Sequence, residues 1–331
     1  MKIAILHGEV AEDACPDEKD VLVQVDVVTE GLSELGHEPV VVPVSLNLAE
    51  TVRTLSTDPP AIVFNLVESL IGKGGLIPIV PALLEVLKIP YTGAGVEALL
   101  LTSNKILAKK WLTSAGLPTP PWFVNTDRHS GVSVSGPWLI KSVWEHASIG
   151  LDEDSVIWKA DKERVIAEMD ARCDTLGGAC LAEAFIDGRE FNLSLLADRR
   201  QNVPEVLPAA EIRFDAYPPG KIRVVGYRSK WEEGSFEYSH TPQSFTFPET
   251  DASLLLHLKE LALRCWDLFD LRGYARVDFR VDKAGQPWIL EINANPCLSQ
   301  DAGFFAATRE AGLTFAEVLE RIIEDSKPKK G

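Results

Sequence analysis

The chain has 331 residues, 33 of them Lys or Arg and 49 Asp or Glu, so its formal charge at pH 7 is −16. At roughly 100 to 200 residues per domain this makes two or three compact units, and 46% hydrophobic with 25% charged residues excludes wholesale disorder. Nucleic-acid affinity rests on cations that neutralise phosphates, which excludes so acidic a chain as a general DNA or RNA binder; a phosphate ligand has to be held by a few placed lysines or through a metal.

MKIAIL reads as a short buried strand, VLVQVDVVTEGLSELG as a helix stopping at Gly36, and PVVVPV and PAIVFNLVES as two further strands. This alternation predicts a small parallel α/β unit. His7-Gly8-Glu9 follows the first strand, so the Gly-x-Gly-x-x-Gly turn of dinucleotide-binding units is absent. MKIAILHGEV has neither the basic segment nor the cleavage site of a signal peptide, and no window approaches 18 uninterrupted apolar residues. A cytoplasmic protein with no membrane partner is expected. Cys15, Cys173, Cys180, Cys265 and Cys297 are scattered, with no Cys-x-x-Cys pair, and read as free thiols.

GVEALLLTSNKILAKKWLTSAG reads as one helix, and prolines 118, 120 and 121 make an extended connector after it. A domain boundary near Gly93 to Val96 separates residues 1–95 from a central unit, 96–183, and a C-terminal unit, 184–331. PWLIKS reads as a strand, WEHASIGLDEDS as a loop and KADKERVIAEMDARC as a charged helix. ACLAEAFIDGREFNLSLLAD reads as a strand, a turn at Asp187-Gly188 and a returning strand, and FAEVLERIIEDSKPKKG as a closing amphipathic helix.

GYARVDFRVDKAGQPWILEINANP carries the strongest chemical signal. Val277, Phe279 and Val281 alternate with Arg276, Asp278 and Arg280, and Leu290 and Ile292 alternate with Glu291 and Asn293. With Val281 opposite Trp288, a hairpin register puts Asp278 across from Glu291 and Arg276 across from Asn293. Two facing carboxylates repel, and Asp, Glu and Asn oxygens without His or thiolate are the donor set for magnesium with substrate phosphates. A polar face neutralised by Arg276 and Arg280 accounts for the same pattern. Lys105 and Lys141, on apolar elements, are candidate phosphate cations or plain surface lysines; Glu183 and Glu190 flank the Asp187-Gly188 turn.

The order TSNKILAKK, PWLIKS, EHASIG, AEAFIDGREF, LPAAEI, GYARVDFRVD and LEINANP resembles the ATP-grasp superfamily and, within it, the D-alanine:D-alanine ligase family, over nearly the whole chain. The resemblance implies an ATP-grasp fold, α+β in its ATP-binding part, behind the N-terminal parallel α/β domain. It implies that Lys105 and Lys141 contact ATP phosphates under a closing loop with Ser148 and Gly150, that Glu183, Phe185 and Ile186 hold the adenine, and that Glu190 binds the ribose. Asp278, Glu291 and Asn293 match the magnesium ligands, with manganese a possible substitute. Arg276, with a backbone N–H near Cys297 or Leu298, matches the group stabilising charge on the acyl centre. Lys230 matches a lysine of the covering loop, and Glu12 the glutamate for the first substrate's ammonium group; Glu12 reads equally well as part of a solvated acidic loop.

The implied activity is an ATP-dependent carboxylate-amine ligase that joins two amino acids through an acyl phosphate, in a chain that pairs as a homodimer. A ligase forming another dipeptide or natural-product amide is the alternative. A non-catalytic ATP-binding paralogue is a third reading, against which the retained carboxylates and lysines argue. The departures concern substrate: NLVESLIGKGG replaces a His-Gly segment and an acidic glycine-rich turn, Cys297 stands at a usual glycine, Ala302 beside Asp301 at a usual serine, and Trp231 at a usual tyrosine.

Overall fold

A parallel three-stranded sheet opens the chain, in the order β2-β1-β3, made of β1 (Lys2–Gly8), β2 (Glu38–Val44) and β3 (Ile62–Asn65). Helices α1 (Pro16–Glu34), α2 (Leu48–Thr57) and α3 (Ile79–Leu87) connect and flank these strands, as the alternating pattern predicts. The computed structural model describes residues 1–126, 134–144, 148, 150, 151, 155–158, 161–201 and 203–326. Helix α1 starts earlier than its apolar periodicity: Pro16 occupies the first turn, where a missing N–H costs nothing, and the Glu18 carboxylate accepts the Cys15 N–H at 3.2 Å. The segment ACPDEKD is therefore mostly helix, which brings Asp17 and Asp20 onto α1.

The single helix expected over residues 95–116 is two, α4 (Val96–Ser103) and α5 (Lys105–Ser114). Asn104 breaks it: its backbone is extended, and its side-chain oxygen accepts the N–H groups of Ile106 and Leu107, each at 3.0 Å. An asparagine that caps a new helix outcompetes continuation of the old one, and Lys105 becomes the first residue of α5.

Strands β4 (Trp122–Phe123), β5 (Trp138–Ser142), β6 (Val156–Ile157) and β7 (Cys180–Ala184), with α6 (Lys162–Arg172) before β7, form a four-stranded antiparallel sheet ordered β4-β7-β5-β6. A second antiparallel sheet follows: β8 (Gly188–Leu196), β9 (Glu205–Val206), β10 (Ala210–Ile212), β11 (Gln243–Ser244), β12 (Tyr274–Asp282) and β13 (Pro287–Asn293), ordered β11-β10-β8-β12-β13 with β9 beside β8. Short helices α7 (Tyr227–Trp231) and α8 (Phe236–Ser239) precede β11, α9 (Ala252–Leu268) precedes β12, and α10 (Gly303–Glu310) and α11 (Phe315–Ser326) close the chain.

Strands β7 and β8 are not the hairpin read from the sequence. β7 pairs with β4 and β5, β8 with β10 and β12, so Phe185, Ile186 and Asp187 cross from one sheet to the other. The glycine after them serves the crossing rather than a hairpin turn: a Cβ on Gly188 would collide with the Val281 carbonyl of β12.

Phe191, Leu193 and Leu195 of β8 and Val277, Phe279 and Val281 of β12 turn away from the crossing and pack on α9 through Leu258, Leu261 and Cys265. A separate core joins the N-terminal sheet to α11 and to the segment after β13, through Ile5, Phe64, Tyr274, Leu298, Leu319 and Ile322. That second core holds α1 against the loop carrying Cys297, which positions the far end of the site.

Candidate active site

A cavity of about 570 Å³ lies between the two antiparallel sheets, bounded on one side by α1 and the loop after β3. Twelve of the fourteen residues singled out from the sequence line it; Gly150 and Glu12 do not. Gly150 takes a left-handed backbone and accepts the Ser155 hydroxyl on its carbonyl, 3.0 Å away. Glu12 lies in an exposed turn before α1, away from the cavity. The acidic groups at that end are instead Asp20 of α1 and Glu68 of the loop after β3. Of the expected phosphate loop, residues 145–147, 149 and 152–154 lie outside those described.

One wall is cationic. Lys105 is buried at the start of α5, with its N–H on the Val143 carbonyl at 3.0 Å, beside Lys141 of β5. Glu183 of β7 is 2% exposed and pairs with Lys141 and, at 2.7 Å, with Lys109 of α5, also 2% exposed. Burial disfavours the Glu183 carboxylate, but the two lysines hold its pKa well below the usual range, at about 2. Burial likewise works against the Lys141 ammonium, yet Glu183, Glu291 and Glu190 hold its pKa above the ordinary lysine value. Lys109 shares the helix of Lys105 in the sequence but is not among its candidate site residues; its signal is its place four residues beyond Lys105 and so on the same helix face. Beside this wall the crossing supplies Phe185 and Ile186, and β8 supplies Glu190, whose pKa is raised by burial and opposed by Arg280 at 2.7 Å.

The opposite wall is the β12–β13 hairpin. Arg276 pairs with Asn293 and Asp278 with Glu291, as expected, but a bulge between Asp278 and Phe279 shifts the rest, and Val281 faces Pro287 rather than Trp288. The bulge breaks the alternation: Leu290 and Glu291 both line the cavity, where strict alternation sends Leu290 to the other face. The Arg276 guanidinium forks onto Asp278 at 2.7 and 2.8 Å, and the Asn192 amide donates to Asp278 Oδ1 at 2.7 Å. Asn293 Oδ1 accepts the Asn295 N–H at 3.1 Å and keeps a second lone pair. Two carboxylates and one amide oxygen fall short of a full protein cage, and among the described residues no group of three or more His, Cys, Asp and Glu could hold a metal. The donor set fits magnesium, which keeps waters and takes phosphate oxygens alongside one or two carboxylates.

Residues 223–231 lie over the cavity. The Ser148 hydroxyl donates to the Val225 carbonyl at 2.9 Å, the Tyr227 N–H to the Leu151 carbonyl at 3.0 Å, and the Tyr227 hydroxyl to Asp17 at 2.8 Å. Ser148 adopts φ 62°, a left-handed backbone uncommon for a serine. Lys230 of α7 faces the cavity; burial lowers its pKa, and Glu291 opposes that.

At the far end Asp20, Glu68 and Asp301 line the cavity with Cys297 and Ser299. The Cys297 thiol donates to Asp20 at 3.0 Å, and Gln24 donates to Glu68 at 2.9 Å while its oxygen accepts the Leu298 N–H at 3.1 Å. The Leu298 N–H, one of the two expected near Arg276 on the acyl centre, is therefore taken by Gln24. Burial, with Glu68 and Asp20 nearby, pushes the Cys297 thiol up, so it stays protonated and serves as a donor. Glu68 is pushed up to about 7 by burial, with Gln24 opposing and Asp20 and Asp17 adding to the rise. The folded chain then keeps a proton on Glu68 that the unfolded chain, titrating near 4.5, has released, so stability falls as pH rises between the two values. Glu68→Gln is expected to flatten the fall of Tm measured from pH 5 to pH 8; an unchanged slope would refute the assignment.

Two antiparallel sheets with a cation-lined cavity between them, behind a parallel α/β unit, define an ATP-grasp fold. The D-alanine–D-alanine ligase from Bacillus anthracis complexed with ATP superposes with a TM-score of 0.71 at 21% identity, covering 98% of this chain and 97% of that one. D-alanyl-alanine synthetase A from Vibrio cholerae gives 0.73 at 19% identity, over 98% of each chain. The family model described as D-ala D-ala ligase C-terminus matches residues 112–324. D-alanine–D-alanine ligase from Moorella thermoacetica is 31% identical over 98% of both chains, and the uncharacterized protein y4sG from Sinorhizobium fredii 30% identical over 90% of this chain and 86% of its own. The chain belongs to the D-alanine–D-alanine ligase family and is an ATP-dependent ligase that forms a carbon–nitrogen bond. Among the described residues no helix is long and apolar enough to cross a membrane.

Proposed function

We propose that the chain joins two amino acids through an acyl phosphate, with ATP at the Lys105–Lys141 wall and magnesium held by Asp278, Glu291 and Asn293. The observation that carries this reading is the facing pair Asp278 and Glu291, aimed into the same cavity as Lys105, Lys141 and Lys230. A carboxylate substrate attacks the γ-phosphate, giving an acyl phosphate and ADP. Lys105 and Lys141 offset the charge on the transferring group, and a bound magnesium ion supplies further charge neutralisation there. The amine of the second substrate then attacks the acyl carbon, phosphate leaves, and the amine's proton goes to solvent or phosphate. Arg276 faces the negative charge that develops on the acyl oxygen, and residues 223–231 exclude water from the acyl phosphate. A three-part organisation at residues 1–95, 96–183 and 184–331, a cytoplasmic site of action and a homodimer belong to the same reading.

D-alanine is the first candidate for both substrates, as the names of the relatives suggest. One observation favours a second reading, another amine on the same scaffold. The start of α10 at Gly303 lines this end of the cavity, and a helix N-terminus favours a substrate carboxylate, but Asp20 and Asp301 at the same end repel one. The test is phosphate release with Mg-ATP and pools of amino acids and amines, with products identified by mass. D-alanine alone yielding its dipeptide supports the first reading; turnover only with an amine lacking the carboxylate supports the second; ATP binding with no turnover in any pool refutes both.

A further inference from the structure

Arg280 is 3% exposed and was read from the sequence only as a charge neutralising a hairpin face. In the fold it lies directly across the β8–β12 ladder from Glu190 and binds its Oε2 at 2.7 Å. Its other contacts are all structural. Nη1 donates to the Gly188 carbonyl at 3.0 Å, Nη2 donates to the Arg223 carbonyl, and the guanidinium lies over the rings of Phe185 and Phe214, 5.8 and 5.6 Å from their centroids. Gly188 comes within reach only because it has no side chain to keep it from the β12 backbone.

These contacts tie together three parts of the site. Gly188 and Phe185 belong to the crossing between the sheets, Glu190 projects into the cavity from β8, and Arg223 starts the segment that carries Lys230 over it. A carboxylate that receives two sugar hydroxyls has to be ionised and held in one rotamer, and a planar fork between two aromatic faces does both, where an ammonium would supply charge alone.

We propose that Arg280 is a positioning residue: it holds Glu190 for the ribose hydroxyls of the nucleotide and links that carboxylate to the covering segment at Arg223. The proposal rests on the ribose role given to Glu190 above. It assigns to Arg280 a part in nucleotide selection and in closure, without contact with the reacting atoms.

The test compares kcat/KM for ATP and for 2′,3′-dideoxy-ATP in the wild-type enzyme and in Glu190→Gln, Arg280→Lys and Arg280→Met. The wild type is expected to prefer ATP by roughly 10- to 100-fold, the worth of one or two hydrogen bonds to a charged group. Arg280→Met should lose most of that ratio, Arg280→Lys part of it, and the Glu190→Gln/Arg280→Met pair no more than Glu190→Gln alone. Arg280→Met should also release more than one phosphate per amide formed, because a cover cut loose at Arg223 admits water to the acyl phosphate. If Arg280→Met does not fold, Arg280→Lys and the paired variant, which buries no lone charge, give the same reading. A wild-type ratio in the Arg280 variants, with the ratio lost in Glu190→Gln, overturns the proposal alone. A wild-type ratio in Glu190→Gln overturns the ribose role and the proposal with it.

Discussion

Glu291→Gln is expected to remove ligation, lowering kcat by roughly 10²- to 10³-fold or more, with a Tm displaced by no more than about 2 °C. Glutamine keeps the shape of the side chain and gives up its charge. Glu291 stands opposite Asp278 at the bulge, half-buried at the cavity wall. Its charge acts in two directions. It is one of the two carboxylates proposed to hold the magnesium ion, and it supports the ammonium groups of Lys141 and Lys230 against burial. Steady-state phosphate release, amide formation and thermal melting of one preparation together decide the matter; full activity at saturating Mg-ATP would remove Glu291 from the metal set.

Lys109→Met is expected to be the most destabilising single change considered, by about 3 to 5 kcal/mol, the cost of stripping a partner from a buried ion pair. Against a total stability of about 5 to 15 kcal/mol this is a large share. Lys109 and Glu183 are each 2% exposed, and Lys109 also donates to Thr119 at 2.9 Å, whose hydroxyl reaches the Ile289 carbonyl of β13 at 3.0 Å. The lysine thus fixes a cavity carboxylate and joins α5 to the β12–β13 hairpin. Glu183→Gln leaves two lysines facing a neutral amide, and the Lys109→Met/Glu183→Gln pair should recover part of the loss, a non-additivity that urea denaturation measures. The pH dependence has a definite sign. Because the folded pKa of Glu183 is depressed to about 2 from 4.5, its contribution is fully present above the unfolded value and is lost as pH falls through the folded one. Wild-type acid unfolding should therefore be shifted toward higher pH in Lys109→Met; an unshifted transition would show that Lys141 alone stabilises the carboxylate.

The β12–β13 hairpin shows how far local pattern reaches. Alternation over 276–281 and 290–293 is a property of a strand's two-residue period, so the pairs Asp278–Glu291 and Arg276–Asn293 could be read without a fold. The bulge could not, since an extra residue in one strand is chosen by how the sheet packs, and it is the bulge that puts Leu290 beside Glu291 in the cavity. Asn104 is a middle case: its capping preference was visible in TSNKILAKK, but apolar periodicity on both sides masked the break that puts Lys105 at a helix start.

The far end of the cavity, beside α1, lay furthest from view. Glu12 and Asp20 are equally acidic in the sequence, and which of them faces the cavity depends on where α1 begins and on the core that joins it to Leu298 and α11. The same holds for the Gln24–Glu68 and Cys297–Asp20 hydrogen bonds, which span 44 and 277 residues along the chain.

By itself the sequence determined the parallel α/β start, the facing pairs Asp278–Glu291 and Arg276–Asn293, and the order of motifs that marks the family. Each is carried by short local patterns, a strand's alternation or a compact motif, that can be read one after another along the chain. Only the tertiary structure decided that β7 and β8 part to different sheets, that Lys109 shares Glu183 with Lys141, that Arg280 holds Glu190, and that Asp20 replaces Glu12 at the cavity. The physical reason is common to all four. A buried charge finds its partner, and a strand its neighbour, by the packing of elements distant in the chain, and neither periodicity nor spacing records that choice.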